Sequence, residues 1–376
     1  MTEEPLSITL ETVTPIWTGG ASRKSDRLHT TGIMGSLRWW YEALVRGVGG
    51  RACKADGACR YDEEDKLYQG LCDVCRIFGT TGWARRFKLI TSLDEKLLQP
   101  KQSLASTIDE RGNRVFTVYH DGDASKWYLP GDPLFGSFTL KIVPTLPLNA
   151  AKLQAKDEKP EYLDASIIGA LIQFVADNAS LGAKPQMGLG IVHLKKRQSV
   201  QPLFDQLKRI VDLHEKNGDS VSLDEYDPFP SLHTMFFALV ETGQESDLET
   251  FKLKQSLREE LQKFTTRDVR HYIMGYAPKP REKEERQGAK IMMSYPYDEL
   301  TMPEGNHTIR LWGWIPQKAG IQLSRIEILG YLDDFLKRKY GEANVPYFIH
   351  FVLNGTQNGK SMLELFKQYF LPKESE

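Results

Sequence analysis

Cysteine is scarce in this chain of 376 residues: there are four, and all of them fall between positions 53 and 75. That is too few and too clustered for a secreted disulfide framework. No apolar run approaches the roughly 20 residues that a membrane helix needs, and the start shows no basic segment leading into an apolar one. A cytoplasmic protein is therefore expected. Net charge is almost missing as well, with 49 Lys and Arg against 50 Asp and Glu. The whole molecule is no polycation, so a polyanion would have to be met by one face. No Ser-His-Asp spacing, paired metal-binding aspartates or histidine–aspartate motif of a metal phosphohydrolase stands out, and none of these chemistries is indicated. The pair Gly188 and Gly190 is followed by no Gly-Lys-Ser/Thr, which excludes a Walker loop.

The charge that is present is unevenly spread. Between Gly19 and Arg51 six cations (23, 24, 27, 38, 46 and 51) stand against Asp26 and Glu42. Residues 76–90 carry Arg76, Arg85, Arg86 and Lys88 with no acid, and 182–197 carry Lys184, Lys195, Lys196 and Arg197 with none. Acids collect at 56–65 and again from Asp219 to Glu249. This is the pattern of one basic face on a neutral protein. Two of the basic segments contain glycines: Gly19 and Gly20 before Arg23 and Lys24, and Gly182, Gly188 and Gly190 around Lys184. Glycine lets a phosphate chain approach the backbone while the cations neutralise it. A solvated loop and a plain tight turn are the simpler readings of the same residues, and a basic face can equally dock an acidic protein.

The cysteines have the spacing C-x5-C-x12-C-x2-C (Cys53, Cys59, Cys72, Cys75). Cys72 and Cys75 form a standard two-thiolate clip, and four thiolates around one zinc would fold an insertion with few apolar residues of its own. Such a site is closed, which points to structural rather than catalytic zinc. Unpaired buried thiols, or two disulfides in an oxidising compartment, are the alternatives.

Length suggests two domains. The periodicities predict a strand over 6–17, a helix over 33–46, the cysteine insertion, strands within 83–94 and at 114–120 and 134–143, a helix over 162–175 and a strand at 191–194. That order is βαββαβ with a decorated middle. After helix-like sequence at 203–214, the theme returns loosely: strand 233–242, helix 247–264, strand 308–315, helix 325–340, strand 347–353. The expected fold is α+β, two ferredoxin-like (RRM-like) domains over 1–200 and 231–376. Residues 201–230 connect them, and a zinc insertion sits at about 51–80 of the first. The run 278–290 is too charged to pack and reads as a mobile loop. Trp39 and Trp40 diverge by about 100° on a helix. One belongs to the core; the other sits at its rim, available to a base or a neighbouring subunit, though packing is the main role expected of both.

Three segments carry a family resemblance: TPIWTGG with its basic loop and GSLRWWYEAL, then CRIFGTTGWARRF (75–87), then GAKPQMGLGIVHL (182–194). Together they resemble the RAMP proteins, the repeat-associated family of CRISPR effector subunits, and within it the end subunit of the type III-B (Cmr) complex. The likeness covers residues 5–195 and thins beyond 200. It implies a non-catalytic RNA-binding subunit that contacts guide RNA (crRNA) near its 3′ end, helps capture target RNA in antiviral defence, and has other RAMP subunits as partners. Phosphates would meet Arg23, Lys24, Arg38, Arg85, Arg86 and Lys184, with Gly19, Gly20, Gly188 and Gly190 allowing close approach. Some RNA-processing endoribonucleases of the wider group use a histidine near the first glycine pair, so guide-RNA cleavage with His29 as general acid or base is the second reading. In related backbone subunits an aspartate in an extended loop cuts the target. Asp26 lies in roughly such a loop, but the end subunit is not the slicer. A zinc-stapled scaffold for an acidic protein is the third reading.

Overall fold

The computed structural model describes residues 4–20, 25–53, 59–65, 69–92, 98–101, 103–120, 123–149, 160–219, 221–226, 229–278, 286–298, 306–316, 323–352 and 358–372. The fold is mixed α/β, built on antiparallel sheets. The first half contains β1 (Leu6–Thr12), α1 (Thr30–Gly47), α2 (Asp73–Phe78), β2 (Phe87–Ser92), β3 (Leu98–Pro100), β4 (Thr107–Ile108), β5 (Asn113–His120), β6 (Asp123–Pro130), β7 (Leu134–Pro144), α3 (Ala165–Asn178) and β8 (Val192–Leu194). Helix α4 (Gln201–Asn217) follows. The second half contains β9 (Met235–Thr242), α5 (Leu248–Phe264), α6 (Arg267–Met274), β10 (Ile291–Met293), β11 (Tyr297–Asp298), β12 (His307–Trp314), α7 (Arg325–Tyr340), β13 (Tyr347–His350) and α8 (Gly359–Phe370).

The two principal sheets are wired alike. The first runs β2-β7-β1-β8, with β3 also on β7; the second runs β10-β12-β9-β13, with β11 also on β12. In each, the first strand of the unit lies inside, between the third and the last. A third sheet, β4-β5-β6, is a hairpin with one short added strand. Alternation decides which face is buried: Ile8 and Leu10 of β1 and Phe138, Leu140 and Ile142 of β7 all turn inward. Ile33, Leu37, Trp40, Tyr41 and Leu44 bring the buried stripe of α1 onto them.

Several boundaries move, each for a physical reason. The strand expected over 6–17 ends at Thr12, because Val13 and Thr14 both donate to the Ile191 carbonyl and Ile16 then exchanges hydrogen bonds with Leu134. The last strand, expected at 191–194, is β8 and begins one residue later, and Lys195 and Lys196 just beyond it are exposed. Of the charged run 278–290, residues 279–285 lie outside the described residues; Gln287 bridges Tyr276, and Lys290 is buried over the Tyr272 ring.

The connecting stretch is part of the core rather than a tether. Leu203, Leu207 and Ile210 of α4, and Met362, Leu363 and Phe366 of α8, join the cluster under the first sheet. Trp40 packs on Phe174 of its own half and on Phe237 and Trp312 of the other. Trp39 is the one at the rim, and it is covered by Trp312 and Trp314 of β12, at 6.0 and 5.7 Å between ring centres. Its partner is thus the second half of its own chain. Buried Arg310 of β12 donates to the carbonyls of Ala176 and Ala179 at the end of α3, where a cation meets the negative end of the helix dipole. A third cluster joins Phe116, Val118 and Leu129 of the hairpin to Phe251 of α5 and to Trp17, Met187 and Tyr295.

Candidate nucleic-acid interface and metal centre

The two glycine segments, some 165 positions apart, meet in space. The Ala183 amide donates to the Trp17 carbonyl at 2.9 Å, and the Gly190 amide to the Pro15 carbonyl at 2.9 Å. The Gly182 amide donates to Ser36 Oγ on α1. Lys184 takes the left-handed conformation (φ 62°), uncommon for a side-chain-bearing residue, and Gly188 and Gly190 take it too, at 88° and 94°. At Gly188 the reason is contact across the halves: a Cβ there would stand 2.5 Å from the Tyr295 ring, and the Gly188 carbonyl accepts from the Tyr295 amide. At Gly190 it would strike the Leu181 carbonyl. Lys184 holds its ammonium 5.6 Å from the centre of the Trp17 ring. Its pKa is lowered, by burial first and then by Arg286.

Thr18 ties the neck of the loop that carries the first pair. Its hydroxyl donates to the Arg27 carbonyl and accepts from the His29 amide at 2.8 Å, while Ser25 Oγ accepts from the Thr18 amide. Gly19 lies against the Trp17 ring and Gly20 against the His29 ring, each so closely that a Cβ would stand 2.7 Å from it. Arg23 and Lys24 lie outside the described residues. His29 is not isolated: its Nε2 is 2.8 Å from Asp26 Oδ1. That hydrogen bond is the main cause of the lowered Asp26 pKa.

The cysteines also come together. Cys53 Sγ stands 3.4 Å from Cys59, 3.7 Å from Cys72 and 3.4 Å from Cys75, and all four sulfurs lie within 4.8 Å of one another. No disulfide joins them. A tetrahedral zinc with bonds of about 2.3 Å needs sulfurs about 3.8 Å apart. The backbone amides of Cys72 and Cys75 donate to the sulfurs of Cys59 and Cys72. Hydrogen bonds from Cys72 and Cys75 hold the Cys53 thiol far below its usual pKa, and those of Cys53 push Cys72 far up. Four thiolates at this separation need a cation among them. The set therefore fits one metal ion and leaves it no open position.

Arg38 and Arg86, both expected at phosphate, are engaged elsewhere. Arg38 donates to Glu42 Oε1 (2.9 Å), the Gly79 carbonyl (2.9 Å) and Cys75 Sγ (3.3 Å), so its charge faces the sulfur cluster. Arg86 is 3% exposed and lies 3.5 Å from the centre of the Trp83 ring, with burial lowering its pKa to about 10. Arg85 is exposed and donates to the Phe87 carbonyl.

Sequence reasoning passed over His214. Buried on α4, it places Nε2 2.8 Å from Asp73 Oδ2 and Nδ1 3.0 Å from Asp219 Oδ1. Burial opposes its charge, but the two carboxylates outweigh burial and raise its pKa. Asp73 Oδ2 also accepts from the Arg51 amide at 2.7 Å, so this one carboxylate pins the cysteine insertion to α4. Its position between Cys72 and Cys75 was the available signal.

Residues 9–193 match the family model of the RAMP superfamily. Across that span the chain is similar to that superfamily. Among solved structures, Cmr1 from Pyrococcus furiosus (apo form) is similar at 13% identity, with 95% of this chain and 99% of that chain covered and a TM-score of 0.41. No curated protein matches the sequence. No helix among the described residues is long and apolar enough to cross a membrane.

Proposed function

We propose that this chain is a non-catalytic RNA-binding subunit of a type III-B (Cmr) CRISPR effector, contacting guide RNA near its 3′ end and helping to capture target RNA. The match of residues 9–193 to the RAMP superfamily model supports the class. The observation that carries the reading is the meeting of the strand end at Trp17–Gly20 with the Lys184 loop. It brings Lys184 and its glycines beside the strand end after which Arg23 and Lys24 follow in sequence, an arrangement suited to phosphate. Arg23, Lys24, Lys184 and Arg85 are the phosphate contacts in this reading, while Arg38 and Arg86 support the fold behind them. We read both halves as ferredoxin-like, a reading supported by their shared strand order, and the cysteine site as structural zinc. Other RAMP subunits in the cytoplasm are the expected partners.

Each phosphate contact adds about −0.7 to the log–log salt slope of single-strand binding. Replacing Arg23 and Lys24 together by Ala should weaken binding to every RNA sequence and flatten that slope by roughly one to one and a half units. An unchanged slope would remove the glycine-flanked loop from the RNA path. The His29–Asp26 pair favours the endoribonuclease as the second reading. Site-specific RNA cleavage that is lost in His29→Ala would put it first, and absence of any salt-dependent RNA binding would favour the scaffold.

A further inference from the structure

Beside the glycine loop lies a cavity of about 870 Å³, within the range of small-molecule sites. Three parts of the chain wall it: strand β6, the turn at Pro185–Met187, and α5 with the segment after α6. Lys126, Lys254, Arg258 and Arg286 line it, and no Asp or Glu among the described residues does. A smaller cavity near β1, of about 290 Å³, has Glu245, Asp247 and Asp298 in its lining. Only the first suits an anion.

Its cations are unusual in what they face. Arg258 donates to the carbonyls of Met274 and Gly275 and so braces one wall. Lys254 is 7% exposed, and among the described residues no carboxylate pairs with it; its ammonium lies 5.2 Å from the centre of the Phe251 ring. An unpaired buried ammonium is costly, and an arriving anion removes that cost. Burial, helped by Arg258, lowers the Lys254 pKa to about 7. Lys126 and Arg286 are exposed, and among the described residues neither pairs with a carboxylate.

The cavity also offers a ring. Trp127 is committed to packing, 5.0 Å from Phe251. Its neighbour Tyr128 is 54% exposed on an edge strand that pairs only with β5. An exposed tyrosine beside cations is the usual platform for a nucleobase. The site is also continuous with the glycine loop, since Gln186 and Met187 belong to its wall and Arg286 is close enough to lower the Lys184 pKa.

We infer that this cavity is a nucleotide-binding site. It takes one phosphate-bearing nucleotide, with the phosphate on Lys126, Lys254 and Arg286 and the base on Tyr128. Resting on the RNA reading above, the nucleotide belongs to a strand that leaves the glycine loop past Lys184. The same chemistry would accept a free nucleotide, and the test separates the two.

Labelled single-stranded RNA and, separately, AMP are titrated against the full chain, against Tyr128→Ala and against the pair Lys126→Ala/Arg286→Ala. All three side chains are exposed, so the variants should fold. Tyr128→Ala should weaken RNA binding at least fivefold with the salt slope kept. The double variant should flatten the slope by about one unit. RNA affinity and slope within twofold of the parent in both variants, while Arg23/Lys24→Ala still weakens binding, would overturn the strand assignment and leave the RNA reading intact. If the parent chain binds no RNA, that reading fails, and AMP decides the cavity alone. Saturable AMP binding lost in Tyr128→Ala keeps it as a free-nucleotide site, and no such binding removes it.

Discussion

The cysteine end of the first half and the junction between the glycine loop and α5 both gather cations, but they hold them differently. At the cysteine end the guanidiniums are held by protein acceptors: Arg38 donates to Glu42, Gly79 and Cys75, and Arg46 to Glu42, Cys53 and Pro230. At the junction the lysines rest on rings, Lys184 on Trp17 and Lys254 on Phe251. A guanidinium held by three protein acceptors fixes structure, whereas an ammonium over a ring keeps its N–H groups for a ligand. Equal counts of positive charge thus describe a clamp in one place and a receptor in the other.

The largest test of this contrast removes the clamp. The chain should hold about one zinc, and Cys72→Ser or a strong chelator should release it. Residues 51–80 should then become protease-sensitive while the core around Trp40 and the salt slope of RNA binding survive. Elemental analysis without zinc, together with four freely reactive thiols in the native protein, would end the metal assignment. Loss of RNA binding on chelation would show that the two ends are one device.

A smaller effect probes the receptor. The Lys254 amine falls from 10.5 to about 7 on folding. The unfolded chain therefore binds more protons than the folded one between those values, and stability rises with pH across that window. Lys254→Met removes the penalty. It should stabilise the protein by as much as a few kcal/mol at and below pH 7, with the gain fading towards pH 10.5. Urea midpoints at pH 6, 7, 8 and 9 read this directly. A gain that does not change with pH would mean that the ammonium is not held in a dry site.

Much of this was legible from local pattern. Helix 325–340 is found as expected, because its cap, Ser324 with Glu327, is written in adjacent residues. The four cysteines were legible because ligand spacing is itself a local signal. What could not be read depends on distant partners. Helix α6 has only eight residues, and α8 takes its meaning from α4, with Met362, Leu363 and Phe366 buried in the shared core. Trp39 could not be assigned without β12, nor Arg86 without the Trp83 ring beneath it. The cavity is the clearest case, since its cations come from β6, α5 and the stretch before β10. No sequence window holds all of them, and the neutral overall charge conceals them.

The finest test is Arg38→Gln, because Arg38 stands where the two behaviours would be confused. It lies on α1 within the basic segment that resembles an RNA-binding motif, and its side chain is about one-third exposed. Yet one Nη2–H points at Cys75 Sγ from 3.3 Å, and Nη1 donates to the Gly79 carbonyl that ends α2. Partners just outside a metal's ligands typically change its affinity tenfold to a hundredfold when removed. Gln keeps a shorter donor but loses the charge that faces the thiolates. The variant should therefore bind zinc ten to a hundred times more weakly in a chelator competition, with the RNA salt slope unchanged. A slope flattened by about 0.7 with zinc affinity intact would reverse the assignment. Arg38 would then be a phosphate contact, and the line between clamp and receptor would have to be drawn on the other side of α1.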